Sequence, residues 1–161
     1  MKRDIKSYEK AFMAGLGLIV LFMLIHDWVP LGPLNDVEGV KLENSTSGLV
    51  RTTIINTLSI LIVVIIAMIF IGKRYPIWAR IWLVIHLGSI TAGAIMAWWI
   101  PYFFGADQET SKRYEVMFGN THSFLPEINN ITPNTIHVLF HLILLVTWIL
   151  AIFISIKKVE A

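Results

Sequence analysis

Four nearly uninterrupted apolar stretches, Ala11–Ile25, Ile54–Ile71, Ile77–Ile100 and Ile136–Ile156, constrain this chain more than anything else in it. A helix rises ~1.5 Å per residue, so ~20 apolar residues cross the ~30 Å of bilayer hydrocarbon. The last three stretches reach or approach that length, and the first gains Trp28, Val29 and Leu31 beyond His26. The expected fold is an all-α integral membrane protein, with four transmembrane helices in an antiparallel bundle. It forms one domain over the 161 residues, with crossings at about 9–29, 54–72, 77–100 and 133–156 and outer loops at about 30–53 and 101–132. Composition agrees, since 56% hydrophobic and 15% charged residues lie outside the range of ordinary soluble domains.

Charge placement gives the threading. Lys2, Arg3, Lys6, Lys10, Lys73, Arg74, Arg80, Lys157 and Lys158 fall on one side of a four-crossing chain, and Lys41, Arg51, Lys112 and Arg113 on the other. By the positive-inside rule both termini are cytoplasmic, in a multi-pass protein of the cell membrane. The basic residues flank apolar runs rather than forming a patch, which argues against nucleic acid as a partner despite a pI near 9.0. Four basic residues before the first run imitate a signal peptide, but no small-x-small cleavage site follows, so an uncleaved anchor is expected. Eight of eleven acidic residues fall on the outer side, where the surface is expected to be anionic.

Prolines are expected to punctuate the spans. Pro76 starts the third, Pro101 ends it, and Thr132-Pro133 opens the fourth with threonine as the cap. Trp98, Trp99 and Tyr102 read as an interfacial aromatic belt, as do Trp78 and Trp82 at the other end. The short link between the second and third spans predicts a hairpin. Asp107–Phe118 predicts a short amphipathic helix in the outer loop, capped by Asp107 and carrying a Glu109–Arg113 pair. Ala11-xxx-Gly15 and Ser89-xxx-Gly93 allow close helix contact, within the chain or in a homodimer.

The chemistry rests on histidine. The chain has no cysteine, so any metal must be held by imidazole and oxygen. His137 and His141 share a helix face at i, i+4, His26 is expected at a similar outer level, and His122 can fold over the bundle mouth. His26, His122, His137 and His141 are the candidate ligands for a divalent metal, which could be zinc, copper or iron. His122, Asp27 and Glu127 are the candidate acids and bases. His86 lies near the bilayer middle and needs a partner from Asn56, Thr57, Ser59 or Thr91. It could bind haem together with His141, although their depths differ by about 10 Å at 1.5 Å per residue.

The leading expectation is therefore a membrane protein with a histidine-centred, outward-facing site, binding a metal and acting on a lipid-soluble or periplasmic substrate. The alternatives are a small dimeric transporter using His86, a haem-binding four-helix protein, and an accessory or sensor subunit of a membrane complex. The lipid bilayer is a partner in all of these readings.

Overall fold

The computed structural model describes residues 3–157. Lys2 and Lys158, used in the charge count above, lie outside them. The described chain is helical: α1 Ser7–Ile25, α2 Val37–Glu43, α3 Thr46–Phe70, α4 Ile77–Ala94, α5 Ile100–Phe104, α6 Gln108–Phe118 and α7 Thr135–Ile156. Four segments are long and apolar enough to cross a membrane: α1, α3, the continuous run Ile77–Phe104 and α7. Only 22–33% of each span is buried on the isolated chain, and large apolar side chains such as Leu18, Ile65, Met68, Ile85 and Ile149 lie exposed. Apolar side chains bare to this extent would be untenable in water and are solvated by lipid tails.

The buried residues recur every three or four positions along each span. They are Phe12, Leu16, Ile19 and Met23 on α1, Ile60, Val63 and Ala67 on α3, Ala79, Leu83 and Leu87 on α4, and Leu144, Ala151 and Ile154 on α7. Such seams suit near-aligned helices packed ridge into groove. α1 packs on α3 and α7, and α7 packs on α4. The expected α3–α4 hairpin is not closely packed, because α3 leans on α1 while α4 leans on α7. The α1–α7 crossing is close, since a side chain at Gly15 would collide with the Thr147 hydroxyl. Gly17, by contrast, faces open space.

At one end, Glu9 is fully buried. Arg3 grips its two oxygens at 2.7 and 3.1 Å, and the backbone N–H of Gly72 donates to it at 3.2 Å. This fastens the start of the chain to the α3–α4 turn, where the Arg3 N–H also donates to the Gly72 carbonyl. Removing one member of such a buried pair leaves the other charge uncompensated.

Three boundaries differ from the sequence expectation. α3 begins at Thr46 rather than near residue 54, because the Ser45 side chain accepts the Gly48 N–H and caps a polar extension. α1 ends at Ile25 rather than near residue 29, with the Asn35 amide donating to the carbonyls of His26 and Val29. Pro101 does not end the third span, which widens into a π-helical turn at Ile95–Trp99 and continues to Phe104. Proline cannot donate to the carbonyl four residues back, and a wide turn relieves the clash. The Ala97 carbonyl freed in this way accepts the Tyr114 hydroxyl from α6.

Two stability outcomes follow. Gly15→Val should lower the apparent Tm in detergent, with overpacking costing about 1–3 kcal/mol, while Gly17→Val should leave it unchanged. Arg3→Ala should cost roughly 3–5 kcal/mol by stranding the buried Glu9 carboxylate, read as an earlier thermal or denaturant midpoint.

Candidate functional site

The end of the molecule that holds His26 and His137 is built by capped helix ends. Asn134 caps α7, its side-chain oxygen accepting the backbone N–H of His137 at 3.0 Å. Thr132, the expected cap, lies two residues too early. The same Asn134 oxygen accepts the His137 Nδ1–H at 2.6 Å, which leaves Nε2 as the acceptor nitrogen of that ring. One carboxamide thus fixes both the start of α7 and the tautomer of its first histidine.

His26 closes α1. Its Nδ1–H donates to the Phe22 carbonyl at 2.9 Å, and its Nε2 lies 3.3 Å from Asp27 Oδ1. With Nδ1–H committed to a carbonyl, the Nε2–carboxylate contact needs one proton between the two groups. Asp27 is only 7% exposed. Burial pushes its carboxyl above the usual carboxylate range, against the pull of His26.

The close α1–α7 crossing brings these groups together, with the His26 and His137 ring centroids 5.9 Å apart. His141 follows one turn deeper, 6.2 Å from His137. Phe22 stacks on His26 at 4.5 Å, and Trp98 lies over His137 at 4.7 Å. Trp98 is buried, as is Tyr102, whose hydroxyl donates to the Pro126 carbonyl. Two of the three expected belt residues are therefore interior walls. His141 sits between Trp98 and Trp99, with Nδ1 buried and unpartnered among the described residues.

His26, Asp27 and His137 line a cavity of about 440 Å³ beneath α2 and α6. Those two helices lie on each other through Val40 and Met117, and a Cβ at Gly39 would strike the Val116 carbonyl. Arg113 bonds to Asn44 at 3.1 Å and lies 3.8 Å from Glu43, so it ties α6 to α2 rather than pairing with Glu109. As expected, Asp107 caps α6, accepting from Thr110. The bonds it accepts from Thr110 hold its carboxyl below the usual range.

The other expected site residues stand elsewhere. His122 is an exposed clip: its Nδ1 shares a 2.8 Å hydrogen bond with the Thr135 hydroxyl, and its carbonyl accepts the Thr135 N–H. Glu127 is exposed and lines a different cavity with Lys112 and Glu115, so His122, Asp27 and Glu127 do not form one constellation. His86 stacks on Trp82, whereas His141 meets Trp98, twelve residues further along the same span and about 18 Å away. His86 and His141 therefore face different stretches of the third span, which counts against their sharing one haem. Among the described residues, no three His, Asp or Glu side chains are grouped to hold one ion. Sequence reasoning missed Asn134, whose signal was an asparagine three residues before a histidine at a helix start.

The carboxyl of Asp27 predicts a pH effect. In the fold it binds its proton more tightly than in the unfolded chain, so its stabilising contribution is complete at pH values below the ordinary aspartate range. Stability is then lost as pH rises through the raised value. The apparent Tm of wild type should fall across that window relative to Asp27→Asn, whose amide stays neutral throughout. No protein-family model, curated protein or solved structure matches the chain.

Proposed function

We propose that the chain is a cell-membrane protein of four antiparallel crossings, both termini cytoplasmic, that works through its outward pocket. There it binds a small polar ligand and exchanges a proton with it. The observation behind this reading is the state of His137. Its Nδ1–H is held by Asn134, its Nε2 lone pair is left without a hydrogen-bond partner among the described residues, and the ring lines the cavity beside the His26–Asp27 pair. An imidazole oriented through one nitrogen and bare at the other is arranged as a hydrogen-bond acceptor and general base. The aromatic walls lower the local dielectric and strengthen any bond made there. The ligand's hydroxyl, amide or ammonium would donate to Nε2, and His26–Asp27 would hold or return a proton. A metal-bound variant of this reading turns Asp27 and the Nε2 atoms of His26 and His137 onto one zinc, copper or iron ion.

Two measurements test it. Diethyl pyrocarbonate followed by mass mapping should modify His137 at Nε2 alongside exposed His122, and Asn134→Ala should slow the reaction at His137 by releasing its tautomer. Modification at His122 with none at His137 would show a closed pocket and end the proposal. Elemental analysis of purified protein separates the metal variant, which requires one ion per chain, lost in His26→Ala and His137→Ala. The absence of native cysteine makes the threading testable as well. In intact cells, an impermeant maleimide should label Gln108→Cys, and Lys73→Cys only after permeabilisation.

A second reading has its own observation. Thr57 Oγ1 on α3 and His86 Nε2 on α4 are both buried without partners among the described residues. Unpaired polar groups at membrane depth mark pathways for protons or solutes, which favours a small carrier using His86. Transport in proteoliposomes unchanged by His86→Ala would dismiss it.

A further inference from the structure

The end of the molecule away from the histidines carries a second cavity, of about 430 Å³, lined by Arg74, Tyr75, Pro76, Ile77 and Arg80. Arg80 is half-buried, and its guanidinium is held by two carbonyls: Nε donates to Tyr75 at 2.8 Å and Nη1 to Ser155 at 3.2 Å. These bonds fix its position without neutralising it, and among the described residues no carboxylate lies within ion-pair reach of it. Arg74 is exposed and makes no hydrogen bond or ion pair among the described residues. Of the nearby carboxylates described, Glu9 is already gripped by Arg3, and Asp4 is exposed near the chain's start. Lys73 and Lys157 add further positive charge at this end. A half-buried guanidinium, immobilised yet uncompensated, calls for an external anion.

The first turn of α4 opens on the same cavity and has no side-chain cap, so its N–H groups also favour negative charge. Ile77 and Trp78 beside it are 68% and 55% exposed, which places the cavity at the boundary between headgroups and hydrocarbon. From these features we infer that the Arg74–Arg80 cavity is a phosphate-binding site occupied by the headgroup of an anionic phospholipid. With Nε and Nη1 of Arg80 held by carbonyls, its Nη2 remains to donate to a phosphate oxygen beside the Arg74 charge, and the neighbouring apolar surface suits acyl chains. This site is independent of the outward pocket, and either can fail without the other.

The test is the thermal stability of the full chain in neutral detergent with added phosphatidylglycerol, phosphatidylcholine or inorganic phosphate. Phosphatidylglycerol should raise the apparent Tm by about 3–5 °C, as expected for a ligand near tenfold above its Kd. Arg74→Gln and Arg80→Lys should each remove most of that shift, the second because an ammonium cannot hold both carbonyls and still donate to a phosphate as the planar guanidinium can. An equal shift with inorganic phosphate, lost in the same variants, supports the site and names the free anion as its source. A phosphatidylglycerol shift that survives in both variants, or one matched by phosphatidylcholine, overturns the proposal. If Arg80→Lys folds poorly, Arg74→Gln decides alone, because Arg74 makes no bond that the fold depends on.

Discussion

A backbone carbonyl that loses its helical donor at the membrane surface must find another, and the histidine-bearing half of this molecule is organised around that requirement. Pro101 deprives Ala97 of its partner, and Tyr114 supplies a hydroxyl from a different helix. The end of α1 leaves the carbonyls of His26 and Val29 open, and the Asn35 amide reaches both. Trp28 bonds to Thr53 at 2.9 Å, joining that segment to α3. Each repair uses a side chain from a loop or short helix, so satisfying helix ends also fastens α2 and α6 over the pocket. In hydrocarbon or at its edge an unpaired polar group costs several kcal/mol, more than most single contacts contribute. The cap over the site is therefore a consequence of how the spans terminate.

The histidine pocket follows from the same logic one step further in. His26 and Asn134 are helix-end residues first: the Nδ1–H of one donates a hydrogen bond to the Phe22 carbonyl, and the side-chain oxygen of the other accepts the His137 N–H at the start of α7. Their remaining atoms then set the chemistry, Nε2 of His26 against Asp27 and Oδ1 of Asn134 against the Nδ1–H of His137. Because Gly15 admits the Thr147 hydroxyl, α1 and α7 approach closely enough for the two systems to share one cavity. A bulkier residue there would separate them without touching either histidine.

The spans were legible in the sequence because burial in lipid needs only apolar length, and residues such as Leu16, Leu83 and Leu144 announce it directly. The adjacency of His26, His137 and His141 was legible too, from helix spacing and a common outer level. What could not be read was loop geometry. His122 was placed over the mouth by its position in the chain, yet its ring turns to Thr135, a choice set by one local hydrogen bond. Pro101 looked like a terminator because proline breaks an α-helical ladder, and only the wide turn before it shows how the helix continues. The polar start of α3 was invisible to a hydropathy argument, since Ser45, Arg51 and Thr52 extend the helix beyond the lipid.

The two ends treat charge differently, and this bears on what each can do. At the histidine end several charged side chains are paired, Arg113 with Glu43 and Lys41 with Glu38, while Nε2 of His26 faces Asp27. The cavity there is lined by charges of both signs, Asp27 and Glu43 with Arg51 and Arg113, which suits selection by hydrogen-bond direction rather than by net charge. At the other end Glu9 is taken by Arg3, Lys157 rests over the rings of Tyr8 and Phe153, and Arg80 is bound only by carbonyls. Among the described residues, positive charge there is held in place but not neutralised. Within a low-dielectric boundary layer such a field decays slowly, so it attracts anionic headgroups and resists transfer of this end across the membrane. On the proposed reading, cations left without an ion pair among the described residues would anchor one end of the chain to lipid, while the pocket at the other end takes the solute.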